Sequence, residues 1–232
     1  MNEIARKLNR TLESTVVGSM LSARGRRMYF PRGIVAQTAE AKTHAHRLNA
    51  TAGIATQGGE PLCLSPIRSL VPELKPAEIV SYAPTAGLPQ LREVWLAEMM
   101  EKNPSLAGRS TTLPAVVSGL THGLAVVADL FVDSGDALLL PDLFWGNYRL
   151  IFEDRMEARL HTFRFFDDHG NLNLQALAES LHTLSGQKVI LVLNFPNNPT
   201  GYSPDKEEAA ELLSLLRNRA EGGTRILLVC DD

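Results

Sequence analysis

The chain has 232 residues and a mass of 25.4 kDa, with 23 Lys+Arg against 26 Asp+Glu, a net charge of −3 and 44% hydrophobic residues. That is ordinary globular composition, long enough to bury about 70% of the unfolded surface around a real core. Lys and Arg are scattered singly, which leaves no basic face for nucleic acid. Apolar runs such as Ala137–Pro141 and Val189–Leu193 are about five residues long, against the ~20 needed to cross a bilayer, so no membrane span is expected. The opening MNEIARKLNR has no apolar stretch behind its charges and does not read as a secretory signal. Cys63 and Cys230 lie too far apart to suggest a disulfide framework, and a reducing cytoplasm is the expected compartment.

In chain order, patterning predicts helices over 4–21 and 34–48; between them Arg24, Arg26 and Arg27 read as a solvated arm or, less favoured, as a contact to a partner subunit. The segment AGIATQGGEP, residues 52–61, is dense in turn formers. It reads either as a loop whose backbone approaches a ligand closely or as a plain linker. Leu91, Val94, Trp95 and Met99 stand at helical spacing and predict a helix over 88–101. The resulting division is an N-terminal arm over 1–48, a loop and linking helix over 49–110, and a main domain over 111–232.

From residue 115 the pattern becomes short apolar runs alternating with helical segments. Strands are predicted at 116–117, 137–140, 159–166, 188–194 and 225–230, and helices over 120–131, 148–155, 174–184 and 205–220. Near-continuous Val/Ile/Leu strands between amphipathic helices indicate an α/β fold, a mostly parallel sheet covered on both faces in three layers. The last strand runs into Asp231-Asp232, an ending that reads as the front part of a longer polypeptide.

Ligands of such sheets bind beyond the carboxyl ends of the strands. After 116–117 comes Ser118-Gly119-Leu120-Thr121-His122-Gly123, a turn into a helix N-terminus, which suits a phosphate or is an ordinary βα turn. It matches neither a dinucleotide fingerprint nor a Walker A loop. After 137–140 come Phe144, Trp145 and Tyr148, which could stack on a planar heterocycle or cap the core; on these residues alone, capping is favoured. After 189–193 comes Asn194-Phe-Pro-Asn-Asn-Pro-Thr-Gly201, a loop rigid enough to hold an amide in one orientation, with a cis peptide allowed at Phe195-Pro196. Asp231 ends a buried strand and therefore needs a cation or a proton donor beside it. The six histidines show no metal-ligand spacing with cysteines or carboxylates, though His122 sits near the proposed phosphate turn, and Asp167-Asp168 reads as a turn before Gly170.

Together, the 194–201 loop, Val-Cys-Asp231, Phe-Trp-Gly-Asn-Tyr148 and Tyr82-Ala-Pro-Thr-Ala-Gly-Leu-Pro89 closely resemble the class I/II (fold type I) pyridoxal-phosphate aminotransferases. The Trp-Gly-Asn element is nearest the aspartate and aromatic aminotransferase group. The resemblance covers about residues 49–232 and preserves the family's motif order. It implies that Asp231 keeps the pyridine nitrogen protonated, that Asn198 hydrogen-bonds the ring's phenolic oxygen and that Trp145 stacks on the ring face. It further implies that Gly119, Leu120 and Thr121 cradle the phosphate, that Tyr82 reaches the cofactor phosphate of a neighbouring subunit in a homodimer, and that Gly53 belongs to a loop over the substrate. No metal is implied.

The family's Schiff-base lysine lies downstream of its Asp-x-Ala-Tyr segment. Lys7, Lys42, Lys75, Lys102, Lys188 and Lys206 all precede Asp231, so none can be carried over as that residue. The tyrosine after the aspartate, further phosphate-binding basic residues and the arginine for the substrate carboxylate are also absent. Residues 1–232 by themselves are therefore expected to be inactive. The leading expectation for the complete protein is transamination between an amino acid and a 2-oxo acid. The alternatives are another reaction on the same scaffold, such as a carbon-sulfur lyase, and a non-catalytic aminotransferase-like regulatory domain.

Overall fold

The computed structural model describes residues 1–15, 18, 21, 23–29, 34–47, 49, 51, 56–57, 60–62, 65–70 and 83–231. In chain order the elements are α1 (Glu3–Leu12), α2 (Ala23–Arg27), α3 (Ile34–His44), β1 (Thr56–Gln57), β2 (Glu60–Pro61), α4 (Ser65–Leu70) and α5 (Pro89–Lys102). There follow α6 (Leu120–Phe131), β3 (Ala137–Pro141), a π-helix (Arg149–Asp154), β4 (Arg159–Phe163), α7 (Leu174–Thr183), β5 (Lys188–Asn194), α8 (Lys206–Glu221) and β6 (Arg225–Asp231). The chain forms two compact units, one of Met1–Pro31 with Gly123–Asp232 and one of Arg32–His122.

The first unit is built on a parallel sheet of order β4-β3-β5-β6. Because side chains alternate along a strand, β3 and β5 feed two cores. Leu139, Val189, Leu191 and Leu193 join Leu177 and Leu181 of α7 and Leu212 and Leu216 of α8 on one face. Leu138, Leu140, Ile190 and Val192 join Leu124 and Ala128 of α6 and Ile151 and Phe152 of the π-helix on the other. Both strands are buried along their apolar lengths, as the unbroken Val/Ile/Leu runs require. This is the helix-covered parallel sheet expected from the sequence.

α8 starts on a capping box in which Glu208 N–H donates to Asp205 at 2.8 Å and Asp205 N–H donates to Glu208 at 3.0 Å. Tyr202 donates to Glu208 at 2.5 Å, and the Leu172 amide donates to Glu208 at 3.0 Å. Burial works to raise the Glu208 pKa, but these bonds to its charged form prevail and hold it below the usual carboxylate range. Burial, and then the bond to Glu208, push the Tyr202 hydroxyl up to about 12. A depressed folded pKa stabilises the protein above the unfolded carboxylate value, and this contribution fades as pH falls through the folded one. Glu208→Gln is therefore expected to lower the Tm at neutral pH and to show a smaller deficit in acid, at pH ~3.5, below the ordinary carboxylate value. Thermal melts at the two pH values check this, and a deficit unchanged in acid would contradict it.

At the opposite end of the sheet Lys188 opens β5 and pairs with Asp136 at 2.6 Å and Asp133 at 3.1 Å. Lys188 is in register with Arg225, whereas Asn194 is in register with Asp231. At ~3.3 Å per residue the strand places Lys188 roughly 20 Å from that carboxyl edge.

In the second unit β1 and β2 pair antiparallel, so part of the 52–61 segment is a strand pair rather than plain loop. The turn at Pro84–Gly87 closes with a 2.8 Å bond from Gly87 N–H to the Pro84 carbonyl, and Gly87 has φ +97°. A Cβ there would lie 2.2 Å from the Val116 side chain, so only glycine fits. Arg92 of α5 donates to the Pro114 carbonyl at 2.6 Å and to that of Leu113 at 3.3 Å.

Several boundaries differ from those expected. The strand at 116–117 does not form: the Val116 N–H donates to Ala86 O at 2.9 Å instead of to a ladder, and both valines are exposed. α1 ends at Leu12 rather than at 21, and α3 ends at His44 rather than at 48. The helix expected over 148–155 is a π-helix, with Arg155 N–H donating to Leu150 O at 3.1 Å. The solvated reading of Arg24, Arg26 and Arg27 holds only for Arg24, which is exposed. Arg26 donates to Gly18 O at 2.6 Å, and Arg27 pairs with Glu157 at 3.0 Å.

Candidate active site at the carboxyl edge of the sheet

Register places Asn194 and Asp231 side by side where β5 and β6 end. Asp231 is only 5% exposed, and its partner is the hydroxyl of Tyr148, which donates to Oδ2. Tyr148 is itself buried. Burial first, then the bond to Asp231 and the charge of its carboxylate, push the phenol far above its ordinary pKa. The phenol therefore stays protonated and acts on Asp231 as a donor, fixing the orientation of the carboxylate.

Tyr148 caps the start of the π-helix, and its N–H donates to Trp145 O at 3.0 Å. The two rings meet edge to face, 5.6 Å apart at 90°. Trp145 is half-buried. Of the two readings of this aromatic cluster, core capping describes Tyr148, while Trp145 keeps surface available for stacking.

The asparagine-rich loop is locked by its own side chains. Asn194 donates to the main-chain carbonyl of Asp231 at 2.7 Å and accepts from Asn198 N–H at 2.6 Å. Asn197, 3% exposed, accepts from the Thr200 hydroxyl at 2.7 Å and donates to Leu143 O at 3.3 Å. That last bond ties the loop to the segment carrying Trp145. The Phe195-Pro196 and Asn198-Pro199 peptides are cis. Asn198 is exposed, with its backbone fixed by Asn194.

Trp145, Asn198 and Asp231, three residues singled out from sequence, thus fall on one connected framework in the first unit. Gly119, Leu120 and Thr121 lie exposed at the start of α6, where Gly119 takes φ +82° and Ser118 N–H donates to His122 Nδ1 at 3.0 Å. Gly53 and Tyr82 lie outside the described residues. Sequence reasoning missed the roles of Tyr148, Asn194 and Asn197. The demand of a buried Asp231 for a donor was visible, and a phenol at another strand's carboxyl end was the signal that could have met it.

The family model for aminotransferase class I and II matches residues 56–232. The chain is 29% identical over 136 residues to an aspartate aminotransferase of Pyrococcus horikoshii, covering 58% of this chain and 33% of that protein. It is 32% identical over 149 residues to an LL-diaminopimelate aminotransferase of Dehalococcoides mccartyi, covering 62% and 37%. The fold resembles the aspartate aminotransferase of Thermus thermophilus solved with maleate, at TM-score 0.71 and 20% identity over 90% of this chain and 52% of that one. An aminotransferase from Anaerococcus prevotii gives TM-score 0.69 and 24% identity over 91% and 53%. The chain spans about a third of the length of these curated relatives and about half of the solved chains.

Proposed function

The chain belongs to the class I and II aminotransferases, and from that premise we propose that the full-length protein moves an amino group between an amino acid and a 2-oxo acid with pyridoxal 5'-phosphate as cofactor. The observation that carries this reading is the buried Asp231 carboxylate, held by Tyr148 beside a half-buried indole at the carboxyl edge of a parallel sheet. The donor set suits the group: a buried carboxylate needs a cation or a proton donor, and a protonated pyridine nitrogen is both.

Bound there, pyridoxal phosphate supplies an electron sink for the charge left at the substrate Cα when its proton is removed. Asp231 holds the proton on the ring nitrogen, and Tyr148 orients Asp231. Trp145 would stack on the ring face and hold the ring in one orientation. Asn198 hydrogen-bonds the phenolic oxygen. Gly119, Leu120 and Thr121 offer N–H groups and a hydroxyl to the phosphate at a helix N-terminus. The family resemblance assigns Tyr82 to the cofactor phosphate of a second copy, which implies a homodimer, and Gly53 to the loop over the substrate. The protein works in the cytoplasm.

The test is a half-reaction assay on purified full-length protein loaded with pyridoxal phosphate, with aspartate as the first donor because relatives carry that name. The expected result is stoichiometric conversion of the donor to its 2-oxo acid and return of the amino group to an added 2-oxo acid. Release of ammonia or a thiol without amino-group transfer would move the reading to a lyase. Cofactor binding without either reaction would favour a regulatory domain.

A further inference from the structure

The π-helix that begins beside Tyr148 is pinned at its far end by the N-terminal segment. Tyr29 donates to the Asp154 carboxylate at 3.1 Å, and Arg27 Nε donates to the Asp154 carbonyl at 3.3 Å. Arg27 also pairs with Glu157 at 3.0 Å, where the chain turns through φ +64°. Burial first, then the charge of Asp154, raise the Tyr29 pKa, so this phenol too remains a donor. Arg155, which ends the π-helix, donates to Ala125 O at 3.1 Å and to Asp129 at 2.6 Å on α6. A single π turn is an uncommon geometry that is frequent at functional sites. Here Ile151 and Phe152 bury its inner side in the core. The segment is a short strut with Tyr148 on Asp231 at one end and Asp154 in the grip of Arg27 and Tyr29 at the other.

We propose that Tyr29, acting with Arg27, is a positioning residue of the site: by fixing the far end of the Arg149–Asp154 strut it fixes how Tyr148 holds Asp231. This rests on the reading of Asp231 as the group that faces the cofactor ring. Tyr29 touches neither cofactor nor substrate in this account and acts only through Tyr148.

The test is a double-mutant cycle in the full-length protein with Tyr29→Phe and Tyr148→Phe, read as pyridoxal-phosphate affinity by absorbance titration. Amide hydrogen exchange over residues 148–154 in cofactor-free protein supplies a second readout. Tyr29→Phe is expected to weaken cofactor binding roughly three- to tenfold and to speed exchange in the strut, with little further loss in the Tyr148→Phe background. Asp154→Asn keeps a side-chain oxygen for Tyr29 and is expected to retain most of the affinity that Asp154→Ala loses; this pair decides the matter if Tyr29→Phe folds poorly. An equal loss in both backgrounds, or none in either, overturns the proposal. A wild-type protein that binds no pyridoxal phosphate overturns it together with the cofactor reading. A wild type that binds, with Tyr148→Phe weakened and Tyr29→Phe silent, overturns the positioning role of Tyr29 alone.

Discussion

Asp231→Ala in the full-length protein is expected to lower kcat/KM for transamination on the order of 10²–10³-fold, the scale seen when one preorganised electrostatic partner of a reacting group is removed. Asp231 is the last residue of β6, buried and oriented by a phenol that donates to it. On the proposed reading the carboxylate is the group that would keep a proton on the ring nitrogen. The substitution also leaves the buried Tyr148 hydroxyl without its acceptor, a cost of about 1–3 kcal/mol that weakens the fold but does not abolish it. Asp231→Asn separates the two effects, because the amide still accepts from Tyr148 yet cannot carry the charge. Steady-state kinetics with thermal melts on both variants check this. Unchanged activity in either variant would remove Asp231 from its assigned role.

Phe152→Ala is expected to damage the fold severely. Phe152 is wholly buried on the π-helix, within the core that α6 shares with β3 and β5. Removing a fully buried ring leaves a cavity that the surrounding helices and sheet can only partly fill, costing about 3–5 kcal/mol. For a chain of this size that lowers Tm on the order of 10 °C. In denaturant the midpoint is expected to fall with the slope unchanged. A Tm within a degree or two of wild type would mean that the packing around the π-helix is not as described.

The sheet and its covering helices were legible in the sequence because each strand's own residues specify them: runs such as Val189–Leu193 suit only a strand buried on both faces. The Asn194–Gly201 loop was legible for a similar reason, since its constraints are local. Val116–Val117 was misread as a strand because its backbone bonding is decided by a turn some thirty residues earlier. The grip of Arg27 on Glu157 and Asp154 crosses most of the chain, with a sequence separation of 127 for its bond to Asp154. No local periodicity encodes such a contact. The pairing of Tyr148 with Asp231 was half legible: the burial of the carboxylate demanded a donor, but choosing the phenol required knowing which strands are neighbours.

The most direct measurement is the intact mass of the natural gene product after borohydride reduction in the presence of pyridoxal phosphate. One reduced pyridoxyl-phosphate adduct per chain is expected, the mark of a cofactor seated on a lysine within reach of Asp231. A natural protein that folds and carries no such adduct would contradict it.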